Sequence, residues 1–235
     1  MVKKRKEEWK IYKNVFDQFT IRTLFKLISE GHFEGLYSPF RLGKEANIFL
    51  AEKEGKHVIV KIYRLVSCNF NRMYDYIRYD PRYIGLKNQR RKVIFSWVQR
   101  EFRNLLIARE GINVPTPYTF KNNILVMEMI GHKQPAPLLK DVIPSDLEKF
   151  FSEVIKSAKK LYELGLVHGD LSEFNIINYN CLPYFIDFSQ ATEVKDPRAK
   201  QMLERDIENI CRFFRKFGIK KDPKKIIKKL SKDFS

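Results

Sequence analysis

The sequence predicts an α+β fold, and three patterns support that prediction. Two runs in which apolar and polar residues alternate, 46–52 and 57–63, are separated by the turn 53–56 and predict a β-hairpin. Longer segments repeat apolar residues every three or four positions, which predicts amphipathic helices. Short apolar runs next to polar turns predict further strands at 166–167, 176–177 and 182–186.

The composition is that of a folded and strongly basic protein. The chain has 235 residues, 44% of them hydrophobic, which is enough for one large domain or two small lobes. Its formal net charge of +17 favours a polyanionic partner, although such a charge can also serve solubility alone.

Targeting and cysteine patterns predict a cytoplasmic protein. No apolar run approaches the roughly 20 residues of a membrane helix. The basic run Lys3–Lys6 is followed by acidic residues, so it is not a signal peptide. Cys68, Cys181 and Cys211 form no Cys-x-x-Cys pair, which favours a reducing compartment in which the thiols are small core fillers.

The N-terminal part begins with a charged lead, residues 1–15. A helix follows, for which Thr20 is the expected N-cap and Gly31 the stop. A bend at Gly43 and Lys44 then leads into the hairpin. Glycine at such a bend lets backbone N–H groups approach a phosphate, although one Gly-Lys pair alone is weak evidence.

Lys61 and Glu101 are predicted to form a buried ion pair. Lys61 shares a strand face with Ile59 and Tyr63. Glu101 falls within the apolar stripe of a helix over about 91–110. The other inward positions predicted there are Val93, Trp97 and Leu105, flanked by Ile94, Val98, Phe102 and Leu106. Buried charges need partners, so each residue is the expected partner of the other. The alternative is that Lys61 extends to solvent and Glu101 lies at the edge of the stripe.

The segment Arg64–Lys92 is predicted to be a flexible basic loop. It carries eight Lys or Arg residues, is too long for a simple connection and is too basic for a core. Beyond the Glu101 helix, two strands, 118–121 and 124–129, are predicted on either side of an Asn-Asn turn.

Two more helices are predicted in the second half. The first starts with a Ser-Asp-Leu-Glu capping box at 145–148 and stops at Gly165. The second spans about 197–217 and precedes a basic tail at 220–232. Its Asp206 falls on the inward face, where a carboxylate must find donors; the alternative is an exposed Asp on a wetter face.

Three polar residues stand where the short strands end: Asp170, Asn175 and Asp187. Phosphoryl transfer needs a carboxylate that orients a hydroxyl, and oxygen ligands that hold a divalent metal on the phosphates. Asp170 suits the first role, while Asn175 and Asp187 suit the second with Mg²⁺ or Mn²⁺. The alternative is that each residue caps a turn or ends a strand.

The motifs around these residues resemble those of RIO-type atypical serine/threonine protein kinases. His-Gly-Asp-Leu-Ser-Glu-Phe-Asn at 168–175 and Ile-Asp-Phe-Ser-Gln at 186–190 are similar to the catalytic and metal-binding loops of that family. Gly-Lys-Glu-Ala at 43–46 is similar to its type-1 branch, although Arg41 and Leu42 stand where that branch has Ser-Thr. The resemblance implies a bilobal protein-kinase-like fold with a reduced C-lobe.

The resemblance also implies ATP and Mg²⁺, or Mn²⁺, as cofactors. Asp170 would be the catalytic base, Asn175 and Asp187 the metal ligands, and Asp187 also the site of an aspartyl-phosphate. The nucleotide would be bound by Gly43 and Lys44, by Lys61 paired with Glu101, and by the hinge from Glu128 to Ile130. Ser67 and Ser96 are both candidates for autophosphorylation. Asp206 would brace the catalytic loop around His168 and Gly169.

The implied organisation follows the two lobes. A lead at 1–15 precedes an N-lobe at 16–126, which contains the flexible loop 64–92 and the Glu101 helix. The N-lobe is followed by a hinge at 127–131, a C-lobe at 132–217 and a basic tail at 218–235. The family acts in maturation of the small ribosomal subunit, so the expected partners of this kinase or ATPase are a pre-small-subunit particle and its RNA. It is expected to be a monomer that does not contact a membrane.

Two other functions fit parts of the same sequence. Small-molecule phosphotransferases of the aminoglycoside type share the His-Gly-Asp and a later Ile-Asp motif. An ATP-gated assembly factor would use the same loops to hydrolyse ATP without a protein substrate.

Overall fold

A computed structural model describes residues 16–66, 68–79, 83, 85–86 and 89–232. The lead at 1–15 and Ser67 therefore lie outside the described residues. The chain divides into a first unit, Met1–Gln99 with Pro117–Met129, and a second unit, Arg100–Thr116 with Ile130–Ser235. The sequence placed residues 100–116 in the N-lobe, whereas here they belong to the second unit.

The first unit is built on a five-stranded antiparallel sheet. Its strands are β1 (Gly35–Leu42), β2 (Ala46–Lys53), β3 (Lys56–Tyr63), β4 (Pro117–Lys121) and β5 (Ile124–Glu128), in the order β1-β2-β3-β5-β4. The predicted hairpin of β2 and β3 is confirmed, with Ile48 opposite Lys61. Glu54 and Gly55 turn the chain with φ of 51° and 75°, as a tight hairpin turn requires.

Strand β1 was not predicted from the sequence. It pairs with β2 at the edge of the sheet, and its register shifts on both sides of Pro39. Proline lacks the N–H that a strand ladder needs, so it is tolerated at a sheet edge and interrupts the alternation.

The first helix, α1 (Gln18–Ser29), begins at Asp17 rather than at the predicted cap, Thr20. Asp17 accepts from the backbone N–H of Phe19 and Thr20, while the Thr20 hydroxyl is buried and accepts from Asn123 at 2.9 Å. The helix therefore packs on the β4–β5 turn. The core shared by α1 and the sheet consists of Leu24, Leu27, Phe33, Leu36, Phe49, Ala51, Val58, Val60, Ile62, Ile124 and Val126.

The segment predicted to be a flexible basic loop contains helix α2 (Phe70–Ile77), capped by Asn69. Met73, Ile77 and Tyr83 are at most 3% exposed. The prediction of a coreless loop was therefore wrong for this part. Arg72 within the helix and Arg78 directly after it are exposed, so these charges concealed the helix in the sequence.

Helix α3 (Arg90–Ala108) buries Glu101 and most of the predicted stripe, but not the whole of it. Leu106 is 38% exposed, whereas Arg100 and Asn104, which were not predicted to be inward, are 5% and 7% exposed. The buried face is turned toward these polar residues because they hydrogen-bond to a distant loop, as described below.

The second unit combines helices with two small antiparallel sheets. The helices are α4 (Leu147–Glu163), α5 (Ala199–Arg215) and α6 (Pro223–Lys232); the strands are β6 (Leu166–Val167), β7 (Ile176–Tyr179), β8 (Leu182–Phe185) and β9 (Thr192–Glu193). Strand β6 pairs with β9, and β7 pairs with β8.

Three sequence predictions for this unit are corrected. Asp146, not Ser145, caps α4 by accepting from Lys149 N–H at 2.9 Å. Helix α5 begins at Ala199 rather than at Pro197. The basic tail at 220–232 is largely helix α6, which packs against α5 and buries Leu230.

Two of the three cysteines are core residues, as predicted. Cys68 and Cys211 are buried, but Cys181 is exposed, which corrects the third assignment. Cys181 and Asn180 both have positive φ and form the turn between β7 and β8, where a side chain points outward. Among the described residues, no helix has the length and apolar character needed to cross a membrane.

Candidate active site

The first candidate loop, residues 168–175, connects β6 to β7 in the second unit. Asn175 closes this loop by donating to the Asp170 backbone carbonyl at 2.8 Å and to Asp170 Oδ2 at 3.2 Å. Because the Asn175 amide nitrogen is used by Asp170, the amide oxygen is the side-chain atom with which Asn175 could bind a metal. Asp170 and Asn175 are thus brought together, as the sequence predicted.

The second candidate loop follows β8 and carries Asp187. Asp187 has φ of 64°, a left-handed conformation that costs a non-glycine residue on the order of 1–3 kcal/mol. Its Oδ1 accepts from the Ser189 hydroxyl at 2.7 Å. This loop therefore holds its carboxylate through a strained backbone and a neighbouring hydroxyl.

Backbone and ring contacts join the two loops. Ile186 N–H donates to the Asn175 carbonyl at 3.0 Å, and His168 Nε2 lies 3.0 Å from the Ile186 carbonyl. The His168 ring also packs on Phe188, with ring centroids 4.8 Å apart. Ile186 and Phe188, on either side of Asp187, are thereby fixed to the loop that carries Asp170.

Helix α5 braces the first loop through Asp206, which is 2% exposed. Its two oxygens accept from the backbone N–H groups of Gly169 at 2.7 Å and Leu171 at 2.8 Å, which confirms the predicted contact. Burial raises the pKa of Asp206 to about 7, while these two donors and Arg205 act in the opposite direction. Arg205 also donates to the Gly169 carbonyl.

Two contacts of the site were not predicted from the sequence. Gln190 Nε2 lies 3.4 Å from Asp170 Oδ2, so the second loop also reaches the Asp170 carboxylate. Gly169 has φ of 79°, and a Cβ there would lie 2.1 Å from Met202 Cε. The Ile-Asp-Phe-Ser-Gln motif pointed to Gln190, but only the folded chain shows which carboxylate it contacts.

The donor set fits a magnesium ion better than a softer metal. Asn175 and Asp187 offer amide and carboxylate oxygens, which are the ligands that Mg²⁺ prefers. In the part of the chain that the structure describes, no group of three or more His, Cys, Asp or Glu side chains could hold a metal by itself. Mg²⁺ does not require such a cage, because it keeps several waters and binds phosphate oxygens together with one or two protein carboxylates.

The candidate nucleotide residues of the first unit lie on or beside its sheet. Lys61 is 6% exposed in β3, and its Nζ lies 5.0 Å from the Tyr63 ring centroid. Gly43 N–H donates to the Ala46 carbonyl at 3.0 Å, and a Cβ on Gly43 would approach that oxygen to 2.7 Å. The glycine is therefore required by the turn's own backbone. Lys44 is exposed beside it.

The remaining candidates are divided between the units. Glu128 ends β5 in the first unit, whereas Glu101 and Ile130 belong to the second. Glu101 is 1% exposed, so both members of the predicted ion pair are buried, and the pairing itself stays a prediction. The Ile130 carbonyl accepts from Ala136 N–H at 2.8 Å.

Comparison with known proteins gives consistent matches. A family model described as the RIO domain matches residues 47–226. The chain is 45% identical over 212 residues to the RIO-type serine/threonine-protein kinase Rio1 of Methanocaldococcus jannaschii, covering 89% of this chain and 73% of that protein. It is 37% identical over 219 residues to the protein of the same name from Haloferax volcanii, covering 92% and 76%.

A solved structure is similar over most of the chain. It is the crystal structure of the Rio2 kinase-ADP/Mg²⁺-phosphoaspartate complex from Chaetomium thermophilum, with a TM-score of 0.71 and 25% identity. The similarity covers 90% of this chain and 66% of that one. The α+β, kinase-like fold class is thereby confirmed.

Proposed function

This chain belongs to the RIO domain family, and from that membership we propose that it is a serine/threonine-protein kinase that uses ATP and Mg²⁺. The observation that carries the proposal is the joining of the two candidate loops. Asn175 contacts Asp170 with its side chain and the residue before Asp187 with its carbonyl. A proton acceptor and a metal-binding carboxylate are thus held by one short network.

In the proposed reaction, Asp170 accepts the proton of an acceptor hydroxyl. The hydroxyl oxygen forms a bond to the γ-phosphorus while the bond to the bridging oxygen breaks, and ADP leaves. Asn175 and Gln190 donate to the Asp170 carboxylate and hold its direction. Mg²⁺, bound by oxygens of Asn175 and Asp187, would neutralise the charge on the phosphates.

Asp170→Asn tests this role. We expect nucleotide affinity to stay within a few-fold and turnover to fall by about a hundredfold or more, because the amide cannot accept the proton. Asp141→Asn, which changes an exposed carboxylate outside the loops, is the matched control. Full turnover in Asp170→Asn would remove Asp170 from the reaction.

We further propose that Asp187 can itself receive the phosphoryl group. A carboxylate oxygen of Asp187 would attack the γ-phosphorus and release ADP, giving an aspartyl-phosphate. The similar Rio2 structure is described as a phosphoaspartate complex, which supports the proposal. Label from γ-labelled ATP should be released by hydroxylamine in wild type and be missing in Asp187→Ala. Label found only on serine, including Ser96, would reject this step.

Lys61, Glu101, Gly43, Lys44, Glu128 and Ile130 are proposed to bind the nucleotide, chiefly because the family resemblance assigns these positions. Burial of Lys61 and Glu101 supports the assignment, since a buried charge requires a charged partner or ligand. Lys61→Met should weaken ATP binding by about tenfold or more. Lys56→Met changes an exposed lysine of the same strand and should leave the affinity unchanged.

The partner we propose is a pre-small-subunit ribosomal particle and its RNA. Helix α6 presents exposed lysines at 224, 225, 228 and 229, and Arg90, Arg91 and Lys92 are exposed at the start of α3. Contacts between such residues and phosphates release counterions, so affinity should fall steeply with salt. Charge reversal at either group should flatten that dependence. If the dependence of affinity on salt concentration is unchanged, these lysines and arginines do not contact the RNA.

Protein phosphorylation and ATP-driven release from a particle are distinguished by one comparison. ATP hydrolysis and protein phosphorylation are measured with and without small-subunit particles. If particles stimulate ATP hydrolysis but no phosphate is transferred to a protein, the result would support an ATP-gated assembly factor instead of a kinase with a protein substrate.

A further inference from the structure

Helix α3 directs two buried polar side chains at the loop that follows Asp187. Arg100 Nε and Nη2 lie 3.2 and 2.8 Å from the Ala191 carbonyl oxygen. Asn104 Nδ2 lies 2.9 Å from the same oxygen and 3.1 Å from the Phe188 carbonyl oxygen. One backbone carbonyl thus receives donors from two side chains that are one helical turn apart.

Both donor side chains are buried, so they depend on protein acceptors such as these carbonyls for their hydrogen bonds. Arg100 is 5% exposed and Asn104 is 7% exposed. A guanidinium in such surroundings is strongly destabilising unless acceptors face it, and residues four apart lie on one helix face. The pair therefore forms a buried polar patch on the helix that faces the carbonyls of Phe188 and Ala191.

The target is the turn that sets the direction of Asp187. Ala191 N–H donates to the Phe188 carbonyl at 3.2 Å, which closes residues 188–191 into a turn. Asp187 enters this turn with φ of 64°, a conformation that persists only when its surroundings enforce it. The preceding residue is held by the first loop, and the following turn is held by Arg100 and Asn104.

We propose that Arg100 and Asn104 are positioning residues for Asp187. By fixing the carbonyls of Phe188 and Ala191, they hold Asp187 in its left-handed conformation and so set where its carboxylate points. This inference rests on the proposed role of Asp187 in binding the metal or receiving phosphate. Both act through the backbone carbonyls of the turn.

Asn104→Leu tests the proposal, because leucine has a similar size and no donor. Amide hydrogen exchange in residues 188–192 should become about tenfold faster, since the turn opens more often. The Mg²⁺ concentration for half-maximal activity should rise about tenfold or more, as is typical when a group that orients a metal ligand is lost. Asn113→Leu is the control, because Asn113 is an exposed amide whose side chain donates to a carbonyl, that of Pro183, outside this loop.

Arg100→Lys keeps the test open if Asn104→Leu fails to fold. Lysine preserves the charge but cannot place two N–H groups on one oxygen. We therefore expect amide exchange in 188–192 and the Mg²⁺ concentration for half-maximal activity to rise, but by less than in Asn104→Leu. Arg109→Lys, an exposed arginine just beyond α3, should change neither. Exchange in 188–192 and Mg²⁺ dependence that match those of the controls would overturn the inference.

Asp187→Ala separates this inference from the proposed function. If Asp187→Ala retains activity and Mg²⁺ dependence, the proposed role of Asp187 is wrong. If Asp187→Ala is inactive while the Arg100 and Asn104 variants behave like their controls, the proposed function stands and the positioning role is wrong.

Discussion

The bracing of the proposed catalytic loop, residues 168–175, can be tested by replacing the Asp206 carboxylate with an amide. In the wild-type protein, Gly169 and Leu171 each donate an N–H to one of its oxygens, at 2.7 and 2.8 Å. The side chain of Asp206→Asn has one acceptor oxygen and one NH₂ group, so it can satisfy only one of these donors. A buried N–H left without an acceptor costs about 1–3 kcal/mol in free energy of unfolding.

The ionisation of Asp206 makes a second contribution to the stability difference between the wild type and the variant, and this contribution depends on pH. Burial raises the pKa of Asp206 from 3.8 to about 7, so the folded protein keeps a proton that the unfolded chain has already lost. The stability from this proton is present in full below the pKa of the unfolded Asp and is lost as pH rises to about 7. Asparagine does not titrate. The penalty for Asp206→Asn should therefore be larger near about pH 5 than near about pH 8, by on the order of 2–3 kcal/mol, since each pKa unit is worth about 1.4 kcal/mol.

Urea unfolding of both proteins at the two pH values measures this difference, and kinase turnover measures the loss of loop order. Glu208→Gln, an exposed carboxylate on the same helix, is the control. A penalty that grows with rising pH would show that the pKa of Asp206 is lowered rather than raised. Wild-type stability and turnover at both pH values would refute the bracing role altogether.

Two further predictions follow from backbone geometry and thiol burial. Gly169→Ala should lower the free energy of unfolding by about 1–3 kcal/mol, because φ is 79° and the new Cβ would lie 3.1 Å from the Gln190 carbonyl oxygen. Gly35→Ala, where nothing lies within 4 Å of the new Cβ, is the control in thermal unfolding. In the folded protein, a thiol reagent at neutral pH should modify the exposed Cys181 rapidly. Cys68 and Cys211 should react only after unfolding, because burial raises the pKa of each of these two thiols, that of Cys68 to about 11. Rapid modification of more than one thiol would contradict the burial.

The regular parts of the fold were predictable from periodicity. The β2–β3 hairpin and the helices around 147–163 and 199–215 have clear apolar repeats, and the structure contains them. Asp206 was predictable for the same reason, since its spacing placed a carboxylate on an inward face. Motif spacing likewise brought Asp170, Asn175 and Asp187 to attention before their contacts were known.

The errors arose where polar residues are buried or apolar ones are few. Arg100 and Asn104 were overlooked because their burial is stabilised by carbonyls about 90 positions later, which no local pattern contains. Helix α2 was concealed by Arg72 and by the basic residues that surround it in sequence, although Met73 and Ile77 give it a narrow buried face. Helix caps were misplaced by one to three residues, since Asp17 and Asp146 compete with nearby hydroxyls for the same role.

Gly169 has a consequence for how this enzyme is controlled. Ordinary protein kinases carry arginine at this position of the His-Arg-Asp motif, and many are activated when a phosphate added to a flexible segment pairs with arginine side chains. Here the position has no side chain, and a Cβ there would collide with Met202. The order of the loop comes instead from Asp206 and Arg205, which are part of helix α5 and always present. These contacts brace the loop without an added phosphate, and we expect regulation to act on the access of ATP or acceptor to the proposed site rather than on the order of this loop.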